Sequence, residues 1–133
     1  MSRSKSREIV FKMLFPFSFG ISDKTEIELA TDSKVDDKEL QYIEKLYSIV
    51  VNNLQAIDDI ISSTAKGFSF DRIYRVDLTA LRLGIGEIYY MEETPDIVAV
   101  NEVVNIVKRY GTESSSAYVN GILASVLKNK QSQ

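Results

Sequence analysis

The chain has 133 residues, 44% apolar and 26% charged, with a formal net charge of −3. That length suits one compact core, and the acidic balance argues against a generally basic nucleic-acid binder, so any such role must rest on a local patch. It contains no cysteine and no histidine, which removes disulfides, thiolate metal sites, the commonest general base and the commonest metal ligand; no catalytic site, metal or cofactor is expected.

Apolar residues recur mostly at helical spacing. In the first segment Ile9, Val10, Met13, Leu14 and Phe17 form one stripe. Glu8 and Lys12 interrupt the apolar stretch after the basic N-terminus, so a signal peptide is not expected. No apolar run approaches the roughly 20 residues that span a bilayer; the expected location is the cytoplasm, with no membrane contact. Pro16 kinks or ends the first helix, because it lacks a donor and clashes with the preceding turn, and Gly20 belongs to the loop that follows.

From Ile21 to Lys38 the chain is polar and mostly acidic, with room for at most a short helix around Thr25 to Ala30. Asp36 is placed to cap the next helix, Glu39 occupies the reciprocal capping-box position, and Val35 can staple onto Leu40. The stripe continues through Ile43, Leu46, Tyr47, Val50 and Leu54, then Ile57, Ile60 and Ile61 in the same or a following helix. Gly67 and Phe68-Ser69-Phe70 mark a turn that buries aromatics.

A helix is predicted from about Arg72 to Met91, with Leu78, Leu81, Ile85, Ile88 and Tyr89 facing inward. Gly84 and Gly86 each weaken it by roughly 1 kcal/mol relative to Ala, which points to the close approach of a neighbouring helix. Thr94-Pro95 opens the next helix. Its stripe is Val100, Val103, Val104 and Val107, and Gly111 is expected to stop it as a left-handed cap. The last helix runs from about Glu113 to Lys128 and buries Tyr118, Val119, Ile122, Leu123, Val126 and Leu127. Lys128 and Lys130 suit the negative end of its dipole. Ile97 to Val100 reads locally as strand, but the longer period favours helix. With no repeat, linker or low-complexity tract, residues 1–133 read as one all-α domain.

The order Asp77-Leu78-Thr79-Ala80-Leu81-Arg82-Leu83, Glu87, Thr94-Pro95, Val100-Asn101-Glu102-Val103-Val104, Lys108-Arg109-Tyr110-Gly111 and Tyr118-Val119-Asn120-Gly121-Ile122-Leu123 resembles the NusB family. The resemblance covers about residues 72 to 127. A weaker one covers 1 to 15, where Arg3-Ser4-Lys5-Ser6-Arg7-Glu8 and Leu14-Phe15 are similar to a basic opening helix. It implies about seven helices in two packed sub-bundles. It also implies a non-enzymatic factor that binds boxA-type single-stranded RNA together with NusE, a small-subunit ribosomal protein. That pair nucleates an antitermination complex with other Nus factors on RNA polymerase, notably at rRNA operons. Some relatives bury their RNA surface in a homodimer, so a homodimer of the free chain stays open.

Candidate site residues follow from both lines. If residues 2 to 15 are helical, Arg3 and Arg7 lie on one shoulder of the apolar stripe and Lys5 and Lys12 on the other, offering cations to phosphates or bases; Ser6 lies among them. The bland alternative is a solubilising terminus. The family places aromatics at the positions of Tyr110 and Tyr118 beside RNA, where a ring can stack on a base; the alternative is a pair of core-edge rings with wet hydroxyls. Ser114, Ser115 and Ser116 open the last helix and can meet a phosphate or simply cap it. Asp77 either answers its helix dipole or, as the resemblance implies, faces a basic residue of NusE. Arg82, Asn101, Glu102, Asn120 and Gly121 read as structural: Arg82 snorkelling or bonding helix-end carbonyls, Asn101 and Glu102 bridging helices, and Asn120 and Gly121 serving close helix packing. Two rival readings are a helical protein-interaction module without RNA binding and a stand-alone relative of the RNA-binding domain of rRNA cytosine methyltransferases.

Overall fold

The computed structural model describes residues 3–21, 35–65, 67 and 69–132, and the regular structure among them is entirely helical. Helix α1 spans Arg3–Leu14 and runs into a 3-10 turn over Phe15–Phe19. Pro16 sits at the start of that turn, and Gly20, at φ 82, ends it. Then come α2 (Asp37–Asn52), α3 (Leu54–Thr64), a single 3-10 turn over Phe70–Arg72, α4 (Arg75–Tyr90), α5 (Asp96–Tyr110) and α6 (Ser115–Gln131). The short helix expected around Thr25 to Ala30, and Phe68, lie outside the described residues. No described helix is long and apolar enough to cross a membrane.

Helix α4 is the axis on which everything else packs. Every residue from Asp77 to Ile88 is buried, and α4 touches all five other helices. With α5 and α6 it forms one sub-bundle; α1, α2 and the first 3-10 turn form the other against its opposite side, and α3 contacts α2, α4 and α6. The two interior glycines have the expected use. A Cβ on Gly86 would lie 2.6 Å from Val50 Cγ2, and one on Gly84 would press on Leu123 and Val103 at 3.2 and 3.3 Å.

Several local expectations change. Asp36 caps α2 by accepting from the Glu39 N–H at 2.8 Å. The Glu39 carboxylate instead reaches α1, where it accepts from Ser6 Oγ at 2.5 Å. Asn53 separates α2 from α3 at φ −118, ψ 20, and its amide nitrogen Nδ2 donates to the Ile49 carbonyl at 2.8 Å. Gly111 is extended, at φ −96 and ψ −166, and is not left-handed. Its lack of a side chain is still required: a Cβ there would lie 2.6 Å from Ser115 Cβ and 2.8 Å from the Val107 carbonyl oxygen.

Arg82 takes neither predicted partner. It donates from Nε and Nη2 to the two Asp58 oxygens, both at 2.9 Å, and so ties α4 to α3. Glu102 does bridge helices, whereas Asn101 is exposed. Asn120 and Gly121 do not serve close packing: both are exposed, and nothing lies within 4 Å of a Cβ built on Gly121.

Candidate functional site

Helix α1 divides its cations between the core and the surface. Arg7 falls on the buried side with Val10 and Leu14 and is 3% exposed. Its Nε and Nη2 donate to Glu87 at 2.7 Å each, and Nη1 donates to Glu102 at 3.2 Å. Tyr42 donates its hydroxyl to Glu87 at 3.2 Å. Burial alone lowers the Arg7 pKa, but the hydrogen bond and the charge of Glu87 outweigh it and hold the guanidinium above its ordinary value. Ser6 is fully buried beside Glu39. Arg7 and Ser6 are therefore corrected as candidate RNA contacts: the helical period turns both inward. Arg3 stays at the edge of this network, 3.9 Å above the Tyr42 ring and 3.6 Å from Glu39, with 45% of its side chain exposed.

The outer flank of α1 carries Lys5, Glu8 and Lys12, spaced to share one helix face. It meets the C-terminal end of α5, where Lys108, Arg109 and Tyr110 are exposed. The Tyr110 ring stacks on Phe11 with centroids 5.5 Å apart, and its hydroxyl donates to Glu8 at 2.9 Å. Arg109 also pairs with Glu8, and the Lys12 ammonium lies 3.7 Å from the same carboxylate. One face of the Tyr110 ring is thus covered by Phe11, and the residue is 37% exposed. In the sequence Lys108 and Arg109 stand out only as part of a motif. Cations in a last helical turn read as dipole partners, and nothing local shows that α1 lies alongside.

Beside this cationic ridge runs an apolar trough. One cavity of about 250 Å³ is lined by Phe11, Lys12, Phe15, Val76 and Tyr110. Through Phe15 and Val76 it adjoins a second of about 350 Å³, reaching Phe19, Asp71, Ile73, Tyr74 and Arg75. Phe19 and Tyr74 are 53% and 49% exposed. The Arg75 guanidinium sits 4.4 Å over the Phe19 ring and donates to the Ser18 carbonyl, which fixes the 3-10 turn against α4.

Next to Val76, in the first turn of α4, Asp77 is 6% exposed and its Oδ1 has no hydrogen-bond partner. Burial raises its pKa, and a hydrogen bond from Ser115 opposes the rise. Ser115 is fully buried and accepts from the Thr112 N–H at 2.9 Å. Its hydroxyl is committed to the α5–α6 turn, so the expectation that it meets a phosphate is corrected. Ser114 is exposed at the N-cap position, but its side chain caps nothing; its own N–H donates to Thr112 Oγ1 at 3.3 Å. Tyr118 is half-buried, and burial followed by the charge of Asp77 raises its pKa. Its hydroxyl is buried, not wet. Of the candidates, Arg3, Lys5, Lys12, Tyr110 and Ser114 lie at the surface, Tyr118 is partly covered, and Asp77 is buried against Ser115 at the start of α6.

Comparison with known proteins places this geometry. The sequence profile of the NusB family matches residues 4–128. The transcription antitermination protein NusB of Agathobacter rectalis is 39% identical over 93% of this chain and 98% of its own length. A crystal form of Thermotoga maritima NusB superimposes with a TM-score of 0.88 at 35% identity, covering 96% of this chain and 92% of that one. A structure of antitermination factors NusB and NusE in complex with double-stranded RNA gives a TM-score of 0.85 at 25% identity, covering 97% and 99%.

Proposed function

The chain belongs to the NusB family, and on that premise we propose that it is a non-catalytic transcription antitermination factor of the cytoplasm. It holds boxA-type single-stranded RNA and NusE together, so that other Nus factors and RNA polymerase assemble on the pair, notably at rRNA operons. The observation that supports this best is the meeting of two unlike surfaces at Tyr110. On one side, exposed Lys5, Lys12, Lys108 and Arg109 form a cationic ridge; on the other, the trough along Phe15, Val76, Phe19 and Tyr74 is mostly apolar, with Asp71 and Arg75 in its lining.

Each surface suits a different ligand. A row of exposed cations neutralises phosphates and releases counterions. An apolar trough with exposed aromatics suits the anchor side chains of a protein, and Asp77, one residue on from Val76 and short of one hydrogen-bond partner, suits a basic residue of that protein. The role is one of holding two ligands in register, which needs no chemistry at a reacting atom.

The test is binding of a labelled boxA-type RNA, with and without NusE, across a salt series. Binding that NusE strengthens and salt weakens, with a slope matching roughly three or four phosphate contacts, is the expected result. NusE binding without RNA binding in either condition would leave a helical protein-interaction module.

A further inference from the structure

On the outer flank of the α1–α5 pair, one carboxylate gathers three donors from two helices. Glu8 accepts the Tyr110 hydroxyl at 2.9 Å, pairs with Arg109 and lies 3.7 Å from the Lys12 ammonium. The exposures are layered: the Glu8 side chain is 12% exposed, while Lys12 and Arg109 are 50% and 62% exposed. The anion sits beneath and its cations lie over it, towards solvent.

We propose that Glu8 occupies a phosphate-binding site, holding Lys12, Arg109 and Tyr110 in place for an RNA phosphodiester while competing with it for their charge. A carboxylate and a phosphate call on the same donors, a guanidinium fork above all. With Glu8 in place, two cations and a hydroxyl are preorganised at the junction of the two helices, but one of the two positive charges is cancelled. RNA arriving from the solvent side draws Lys12 and Arg109 away from Glu8 instead of finding them unengaged. Glu8 thereby sets the ridge to bind RNA weakly until other contacts add to it.

A purely structural Glu8 would act differently. As the N-terminal member of an i, i+4 pair with Lys12 it adds only about 0.2–0.5 kcal/mol to α1, and pairs whose cations are half-exposed or more, as Lys12 and Arg109 are, contribute little to folding. Its removal would then leave RNA binding unchanged, or reduce it by loosening Lys12 and Arg109. The competing role predicts the opposite sign.

The inference rests on the RNA-binding reading above, and one experiment separates the two. Labelled single-stranded boxA-type RNA is titrated, with NusE present and across a salt series, into the native chain, Glu8→Gln, Arg109→Ala and the double variant; Glu8→Ala serves as a second removal, and thermal melts check that each is folded. Glu8→Gln and Glu8→Ala are expected to bind roughly three- to tenfold tighter, with a log–log salt slope steeper by about 0.7 for one added phosphate contact. The gain should vanish in the double variant. Equal or weaker binding on removing Glu8, or a gain that survives Arg109→Ala, overturns this inference alone. Failure of every protein to bind RNA overturns it together with the RNA-binding reading.

Discussion

Arg7 and Glu87, 80 residues apart in sequence, meet inside the protein as a two-point ion pair, with Nε and Nη2 each 2.7 Å from a different carboxylate oxygen. Their side chains are 4% and 0% exposed. Tyr42 and Glu102 complete the cluster, so one buried site joins α1, α2, α4 and α5. The position of the surface cations of α1 relative to the end of α5 follows from this clamp.

Breaking the pair leaves an uncompensated charge in the core. Arg7→Ala is expected to cost about 3–5 kcal/mol, read as a lower denaturation midpoint in urea. Joint replacement by Met at Arg7 and Leu at Glu87 should recover much of that loss, because it removes both charges together. Comparable loss in the single and joint variants would show that the pair itself is not the cause.

The glycines separate into two kinds. Gly86→Ala pushes a Cβ into Val50 and is expected to destabilise by about 1–3 kcal/mol. Gly121→Ala enters open space on an exposed helical face and should stabilise by up to about 1 kcal/mol. Thermal melts of the two variants should move in opposite directions.

Asp77 is expected to oppose folding of the isolated chain at neutral pH. Burial raises its folded-state pKa above the unfolded value, so the unfolded state ionises first as pH climbs. Stability is therefore complete below the unfolded pKa and is lost as pH rises through the folded one. Asp77→Asn should be more stable than the native chain above that window, and the advantage should disappear below it. Urea titrations at acidic and neutral pH read the difference directly.

The trough can be tested without disturbing the core. Phe19 and Tyr74 are half-exposed, so Phe19→Ala with Tyr74→Ala should cost folding only about 1 kcal/mol, mostly the Arg75–Phe19 contact. NusE binding should weaken by at least about tenfold, the loss of one good anchor. RNA binding measured without NusE should stay the same.

Most of the helical framework was legible in the sequence, because the apolar period, the Asp36 cap and the Thr94-Pro95 start are local signals. Gly84 and Gly86 were legible too, since a glycine inside a strong helix needs a reason. What was not legible depended on which helices lie side by side. Arg7 stands i−3 and i−7 from Val10 and Leu14 and so lies on the inward side of α1, but the partner that lets an arginine be buried there, Glu87, is remote in sequence. Arg109 and Lys108 joined the ridge only once α5 lay along α1. The position of Gly111 after a helix suggests a left-handed cap, whereas its real constraint is the close approach of Ser115. Asn120 and Gly121 failed for the converse reason: they match the family pattern, yet face open space.

On the proposed function, RNA and NusE occupy adjoining but distinct faces. The direct measurement is amide chemical-shift mapping of the labelled chain, first with boxA-type RNA and then with NusE. RNA should perturb the outer flank of α1 and the end of α5, around Lys5, Lys12, Lys108 and Arg109. NusE should perturb Phe15, Phe19, Tyr74, Val76 and Asp77, with Tyr110 responding to both. RNA shifts confined to the trough, or NusE shifts confined to the cationic ridge, would contradict the account.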